Sequence, residues 1–566
     1  MGGLNDTGAS EELHHIAYEL RSLHESTRTN QMSLHSDFHI YDNVQAVLAH
    51  MERLLPAPSI CTTLIQLYFH NFENCTRVLH RGTAWTQFGA YFNDTLVSGT
   101  RHVRLPLLTA VVSIASSLGT LPECNNSRLH GQDDGIGAYQ LLRNYLDLIS
   151  TSQCKDLRVM QLAALTLKYQ KSCPLTPVES WHWSGQVLRR AMAGGLYKVN
   201  SGKDNIFEAE TKKRLWLSLL EMDLTHAIAS DMPPNCPTWQ YDPPLNVNDS
   251  MLQPGITERP QASNLEEWTD GACQHVLAQS FNERLAAYRL VCSGTTVPYS
   301  TILQHTRHLE HVIHDLPTIF RLVSMAEDAS DTPPHRLLAK MELDFLLRRP
   351  LNACYAPYAS EMPFDDRYKE SRILWIQGMS FSICFQDLFD PKYPSLDLPQ
   401  PEGLWDYFYN VYQWDAHNFF LANCLELQRL RSMQTNIADI MSPAYHGHTL
   451  RTSVKVAGWN IEGITKSLED MIDSLTRRIG RHGSKLRDVV RWTAVIGALR
   501  VTPTCSRHHA IKNELQGLIS FLKGRTLTYG QHEETAIRYA SASQGRLPDL
   551  EWLQSYFTEA EDDEEL

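Results

Sequence analysis

The sequence predicts an all-α protein, a large multi-helix array joined by proline-rich connections. Apolar residues recur at three- and four-residue spacings through most of the 566 residues, which is the period of a helix face. Alternating apolar and polar runs, the mark of a half-buried strand, are rare. Proline clusters break the periodic stretches where a helix cannot continue.

Residues 1–36 are polar and are read as a flexible N-terminal segment. Over 43–55, Val44, Val47, Leu48 and Met51 share one face with Leu54 or Leu55, and Pro56 and Pro58 end the run. From Ser59, Leu64, Leu67, Tyr68 and Phe72 form a second stripe. Residues 105–118 (LPLLTAVVSIASSL) are apolar all round, as in a helix enclosed by its neighbours. Further helices are expected near 138–150, 156–171, 177–193, 208–229 and 265–291. The later ones are expected near 299–325, 335–347, 368–388, 404–432, 450–479, 484–498 and 508–523. Residues 230–263 and 389–403 are rich in proline and cannot be continuous helix. The last eight residues, Glu559 to Leu566, hold six acidic side chains. No repeat recurs at a fixed period, which argues against a repeat solenoid.

Composition narrows the function classes. Hydrophobic residues make up 43% and charged residues 20%, the balance of a globular chain. A net charge of -13 argues against a chain that grips nucleic acid through its overall field, because such binding rests on Lys and Arg neutralising phosphates. Twelve cysteines are scattered singly, and the closest two, Cys61 and Cys75, are fourteen residues apart. Zinc fingers and clusters draw on closely spaced pairs, so none is expected here. Scattered cysteines read as reduced, buried small hydrophobes. The first residues show no basic stretch followed by an apolar run, and no window approaches a membrane span.

The segment 175–249 is the most informative. It reads LTPVESWHWSGQVLRRAMAGGLYKVN and then, from Phe207, FEAETKKRLWLSLLEMDLTHAIASDMPPNCPTWQYDPPLNVND. This resembles the middle homology region of fungal-specific transcription factors. In that resemblance Trp181, Gly185, Arg190 and Ala191 match the first helix, and Gly195-Leu196 its end. Phe207, Glu210, Arg214, Leu215, Trp216 and Asp223 match the second helix. Pro233 matches the turn, and Asp242, Leu245 and Asp249 match the tail. Residues 64–85 look like the family's opening helix and its aromatic region, and Leu346-Leu347-Arg348-Arg349-Pro350 resembles its Leu-His-Arg-Pro element. Two departures stand out. Gly195-Leu196-Tyr197-Lys198 replaces the usual Gly-Leu-His-Arg, and Asp231-Met232-Pro233 replaces Gly-Arg-Pro.

The residues themselves read as a framework. Glu208 and Glu210 sit in the first turn of their helix, where the macrodipole favours negative charge. Leu215, Leu219, Met222 and His226 lie beside a stripe of Trp216, Leu220, Asp223 and Ala227, a face wide enough for an enclosed helix. Asp223 lies amid apolar positions and calls for a partner; Arg189, Arg190 and Arg214 are the candidates. Trp181 and Trp183 read as core. Gly185 is placed to let the second helix approach closely, and Gly194-Gly195 to supply a left-handed residue that ends the first.

Other chemical motifs are weaker. His305, His308, His311 and His314 step around a helix and do not converge on one metal, though two of them with Glu310 leave a minimal site open. Cys505 with His508 and His509 lacks a second cysteine pair. Asp365-Asp366 with Glu370 invites comparison with the magnesium-binding carboxylates of all-α prenyl-diphosphate enzymes, but the second metal motif of such enzymes is absent. Gly131, Gly135 and Gly137 lack dinucleotide-loop spacing. Arg477, Arg478, Arg481, Lys485 and Arg487 form a basic cluster that reads as a solvated helix end, with nuclear import as the rival. The acidic terminus reads equally as a solubilising tail or an activation patch.

The resemblance implies a nuclear transcriptional regulator of a metabolic or secondary-metabolite gene cluster in a filamentous fungus, not an enzyme. Residues 37–350 would form its regulatory domain, 351–557 a C-terminal helical region and 558–566 an acidic tail. The expected partners are other transcription proteins, a second copy of the chain, and a small-molecule effector in a groove between helices. DNA is not expected to be bound through a zinc cluster, and no membrane partner is expected. No cofactor is expected in the chain itself, since no zinc pattern precedes residue 59; zinc enters only with a DNA-binding domain upstream. A magnesium-dependent prenyl-diphosphate enzyme and a helical scaffold without transcriptional output are the rival readings.

Overall fold

The computed structural model describes residues 7–27, 41–93, 101–118, 129, 136–150, 153, 155–170, 176–198, 205–293, 297–321, 334–361, 365–376, 378–379, 404–433, 461–478, 486–500 and 507–527. Helices account for nearly all regular structure among them, and no strand occurs among the described residues. In chain order the long helices begin with α1 (Thr7–Thr27), α2 (Val44–Leu54), α3 (Pro58–Asn71), α4 (Arg81–Phe92) and α5 (Arg101–Ser116). They continue with α6 (Ala138–Leu148), α7 (Leu157–Gln170), α8 (Pro177–Ala193), α9 (Ile206–Ala229) and α10 (Ala272–Cys292). The remainder are α11 (Tyr299–His314), α12 (Pro334–Ala359), α13 (Leu404–Met433), α14 (Ile461–Arg478), α15 (Leu486–Arg500) and α16 (Arg507–Leu527).

The chain divides into two compact units. The larger comprises residues 30–419 and 446–452. Its core is built round α5, which packs against α2, α3, α6 and α7. Leu107, Leu108, Val111, Val112, Ile114 and Ala115 of α5 are all buried, so this helix has no solvent face, as its uniform apolarity requires. Each of the leucine, valine and isoleucine side chains contributes roughly 1.5–3 kcal/mol of transfer free energy. Helix α9 is similarly enclosed, buried from Glu210 to Ile228 apart from Lys212. A second cluster gathers Cys75, Val276, Leu277, Phe320, Leu343 and Leu347 where α10 and α12 pack together.

Several bounds differ from the sequence reading for physical reasons. Helix α10 starts at Ala272, not 265. The preceding residues are turned, with Thr269 Oγ1 donating to Asn246 Oδ1 at 2.5 Å and the Asp270 N–H to Asn248 Oδ1 at 3.0 Å. Helix α11 ends at His314, and Pro317 opens a short 3-10 turn at Thr318–Phe320. Helix α4 was not foreseen. Helix α12 runs through Pro350 and across the expected boundary at 350/351. Arg349 on α12 bonds Asp415 through Nε at 2.9 Å, and Phe345 stacks on Tyr412 at 3.8 Å. Residues up to 419 accordingly cluster with the larger unit.

The smaller unit comprises residues 1–29, 420–445 and 453–566. Helices α15 and α16 form its main pair. Gly497 permits this, since a Cβ there would sit 3.1 Å from the Ile511 Cα. Phe420 stacks on Trp492 at 4.6 Å. Within 1–36, read as flexible, Thr7–Thr27 is helical: Leu13, Ile16 and Leu20 are buried, and Lys512 Nζ reaches Glu12 at 2.6 Å. The sequence signal was an apolar stripe hidden in a polar stretch. The acidic tail and the 389–403 break lie outside the described residues.

Candidate functional site

The family-like segment folds into two polar clamps set in the larger core. The first joins α8 and α9. Thr176 caps α8 in a reciprocal box with Glu179, the Thr176 N–H donating to Glu179 Oε2 at 2.7 Å and the Glu179 N–H to Thr176 Oγ1 at 3.2 Å. The helix ends at Gly195, whose φ of 82° needs a residue without Cβ; the Leu196 N–H then reaches the Ala191 carbonyl at 3.0 Å and Leu196 is buried. The same closure ends α9. Asp231 takes φ 54°, and the Met232 N–H reaches the Ala227 carbonyl at 3.0 Å. An aspartate therefore holds a left-handed position ordinarily given to glycine.

Asp223, fully buried, clamps the turn that follows. It accepts from Ser184 Oγ at 2.9 Å, the Asn235 N–H at 2.7 Å and the Cys236 N–H at 2.8 Å, with Asn235 Nδ2 at 3.3 Å. This corrects the expected arginine pair. Arg190 bonds Asp147 at 2.9 Å, Arg214 points to Asp249, and Arg189 is exposed. Hydroxyl and backbone donors satisfy the carboxylate instead. Burial raises its pKa, and the donors from Ser184, Asn235 and Cys236 oppose that rise. Gly185 also serves this turn, since a Cβ there would meet Asn235 Nδ2 at 3.0 Å. Trp181 donates from Nε1 to the Pro233 carbonyl at 2.9 Å, while Trp183 is buried. Trp181, Gly185, Asp223 and Pro233 thus converge on one turn.

The second clamp centres on Asp249. It bonds Arg77 Nη2 at 2.6 Å and Arg214 Nη1 at 2.9 Å, and accepts the Arg81 N–H at 3.0 Å. Burial would raise its pKa, but Arg77 and Arg214, helped by His80 and the Arg81 N–H, bring it down to about 2. Arg77 also donates to the Glu73 carbonyl at 3.2 Å and the Asp270 carbonyl at 2.5 Å. Glu210 accepts the Leu245 N–H at 2.6 Å and lies 3.4 Å from Arg214. Phe207 meets the His80 ring edge-on at 5.1 Å. Leu245 is buried near Ile206 and Phe207, whereas Asp242 is exposed. Leu215, Trp216 and Ala191 are core. Sequence reading missed Arg77, Glu73 and Asp270; only the four-residue Glu73–Arg77 spacing hinted at them.

Beside this clamp lies a polar hollow of about 240 Å³, walled by α3, the 73–81 turn, residues 248–249 and 268–273, and the start of α12. A third buried pair, Glu221 with Arg284 Nη1 at 2.8 Å, ties α9 to α10.

Among the described residues the rival motifs do not assemble into a metal site. Asp365 caps a 3-10 turn, accepting the Arg367 N–H at 2.9 Å and Arg367 Nε at 2.7 Å, and Asp366 is exposed. Glu310 turns inward to the Tyr355 hydroxyl at 2.6 Å, whereas His308, His311 and His314 face outward. Arg477 pairs with Asp473 and Arg478 is buried; Arg481 and Lys485 lie outside the described residues, as do Cys505, Gly131 and Gly135. Cys61, Cys75, Cys236, Cys273, Cys354 and Cys424 are buried free thiols. Among the described residues no three His, Cys, Asp or Glu side chains are grouped to hold a metal. No helix among them is long and apolar enough to cross a membrane.

Among the described residues, the polar groups at the centre of both clamps brace turns of a helical body. Residues 65–293 match the fungal specific transcription factor domain. Curated relatives are fungal transcription factors. Transcription factor opdR of Penicillium oxalicum is 24% identical over 59% of this chain and 42% of its own length. The equisetin cluster transcription factor eqxF of Fusarium heterosporum is 21% identical over 79% of this chain and 65% of its own. The fusarisetin A cluster transcription factor of a Fusarium species is 23% identical over 52% of this chain and 40% of its own. The chain thus spans less than two thirds of each of these relatives. No solved structure matches.

Proposed function

We propose that the chain is a nuclear regulator of transcription for a fungal metabolic or secondary-metabolite gene cluster, working through contacts of its helical domain and without chemistry of its own. The observation that carries this is the coincidence of two things. The matched domain, residues 65–293, contains both turn clamps, and the carboxylates at their centres, Asp223 and Asp249, are engaged in holding the chain together. Its partners are other transcription proteins, and the net charge of -13 disfavours phosphate binding by these residues through their overall field. Transcript profiling after removal of the gene tests it. Coordinated loss or gain of one biosynthetic gene cluster is expected; an unchanged transcriptome under conditions where the chain is expressed contradicts it.

A further inference from the structure

The hollow beside the Asp249 clamp has an uneven hydrogen-bond balance. Its acids are already engaged. Asp249 accepts from Arg77, Arg214 and the Arg81 N–H. Glu73 accepts from the Tyr68 hydroxyl at 2.5 Å and the Val78 and Leu79 N–H groups at 2.7 and 3.2 Å. Asp270 Oδ2 accepts the Asp249 N–H at 2.9 Å. Its arginines are not saturated. The Nε atoms of Arg77 and Arg336 are buried with no hydrogen-bond partner, and Arg77 is only 4% exposed. A buried donor left unmade costs about 1–3 kcal/mol, so such groups mark places where something else completes the set. Arg81 is exposed at the rim, and the Arg336 guanidinium lies 5.5 Å from the Trp268 ring centre.

We propose that this hollow is a binding site for a small oxyanion, a carboxylate or phosphate-bearing metabolite, held by Arg336 and Arg81 above the Asp249 clamp. Two histidines border the arginines in this hollow. His70 and His335 face each other at 4.4 Å. Burial pushes both below their usual pKa, and Arg81 adds to the push on His70, as His70 and Arg336 do on His335, with Asp270 opposing. An anion between the arginines relieves that repulsion. The volume of about 240 Å³ admits a compact polar molecule and not a polyketide-sized one. Occupancy would brace α3 and α12 against the turn that carries Asp249, so the ligand reports to the same framework the domain depends on. This deepens the regulator reading by giving it an effector class.

Titration calorimetry on the full chain tests it, with succinate and inorganic phosphate as probes and uncharged succinamide as the control. Saturable binding of at least one anion, with no succinamide binding, is expected. Arg336→Gln and Arg81→Gln should each weaken it about tenfold or more; Arg81→Gln, at an exposed position, keeps the test valid if the other variant folds poorly. Binding by succinate alone assigns a carboxylate ligand, and by phosphate alone a phosphate-bearing one. No saturable heat from either anion, or binding equal to wild type in both variants, overturns the proposal. Because the readout is binding to purified protein, it fails or succeeds independently of the transcript test.

Discussion

Replacing Asp249 with asparagine removes one charge from the node that joins α9 to the Arg77 turn. The unfolded carboxyl titrates near 3.8, and in the fold Arg77 and Arg214 bring it to about 2. A pKa unit is about 1.4 kcal/mol, so the ionised form contributes on the order of 2.5 kcal/mol. Because the folded value is the lower one, that contribution is complete above the unfolded pKa. It disappears as pH falls from near 3.8 to about 2. The substitution also leaves two buried guanidinium groups facing a neutral amide, a change that costs about 3–5 kcal/mol when a buried pair is broken. A loss of roughly 3–5 kcal/mol at neutral pH is therefore expected, and not the sum, since both figures describe the same pairing. Urea unfolding followed by tryptophan fluorescence reads it, Trp183 and Trp216 both being buried in this unit. Wild type should lose more stability than the variant between about pH 4 and pH 2. A double-mutant cycle with Arg214→Met should give a coupling above about 1 kcal/mol. A variant within about 0.5 kcal/mol of wild type, or a cycle near zero, refutes the reasoning.

Other outcomes follow from the same geometry. Asp223→Ala strands the Asn235 and Cys236 N–H groups and should cost about 3–4 kcal/mol in urea unfolding. The two left-handed caps should respond in opposite senses to substitution: Asp231→Gly stabilises by about 1 kcal/mol and Gly195→Ala destabilises by a similar amount, read as shifts in the urea midpoint. Asp366→Ala, at an exposed turn position, should leave stability within about 0.5 kcal/mol of wild type and should not alter transcription of the target genes.

Much of the helical framework was legible because burial imposes a period on the chain. The uniform apolarity of 105–118 foretold a helix with no solvent face, and α5 has none. Gly195 was legible as a cap because a left-handed residue after an amphipathic run has few other uses. The partners of charged residues were less so. Asp223 looked like half of an ion pair, yet its donors are backbone groups of a turn twelve and thirteen residues on, and backbone N–H groups leave no trace in residue identity. Arg77 lies 172 positions from Asp249, a separation no local spacing rule bridges. Helix α1 was hidden because its three buried side chains sit among polar neighbours. The hollow was illegible altogether, since it is bounded by four separate stretches of chain.

The most direct test of a framework serving transcription is a reporter assay with the full chain fused to a foreign DNA-binding module. The fusion should change reporter output severalfold relative to the module alone, and Asp366→Ala should retain that change. Output identical to the module alone, from a fusion shown to be folded and nuclear, would contradict the account.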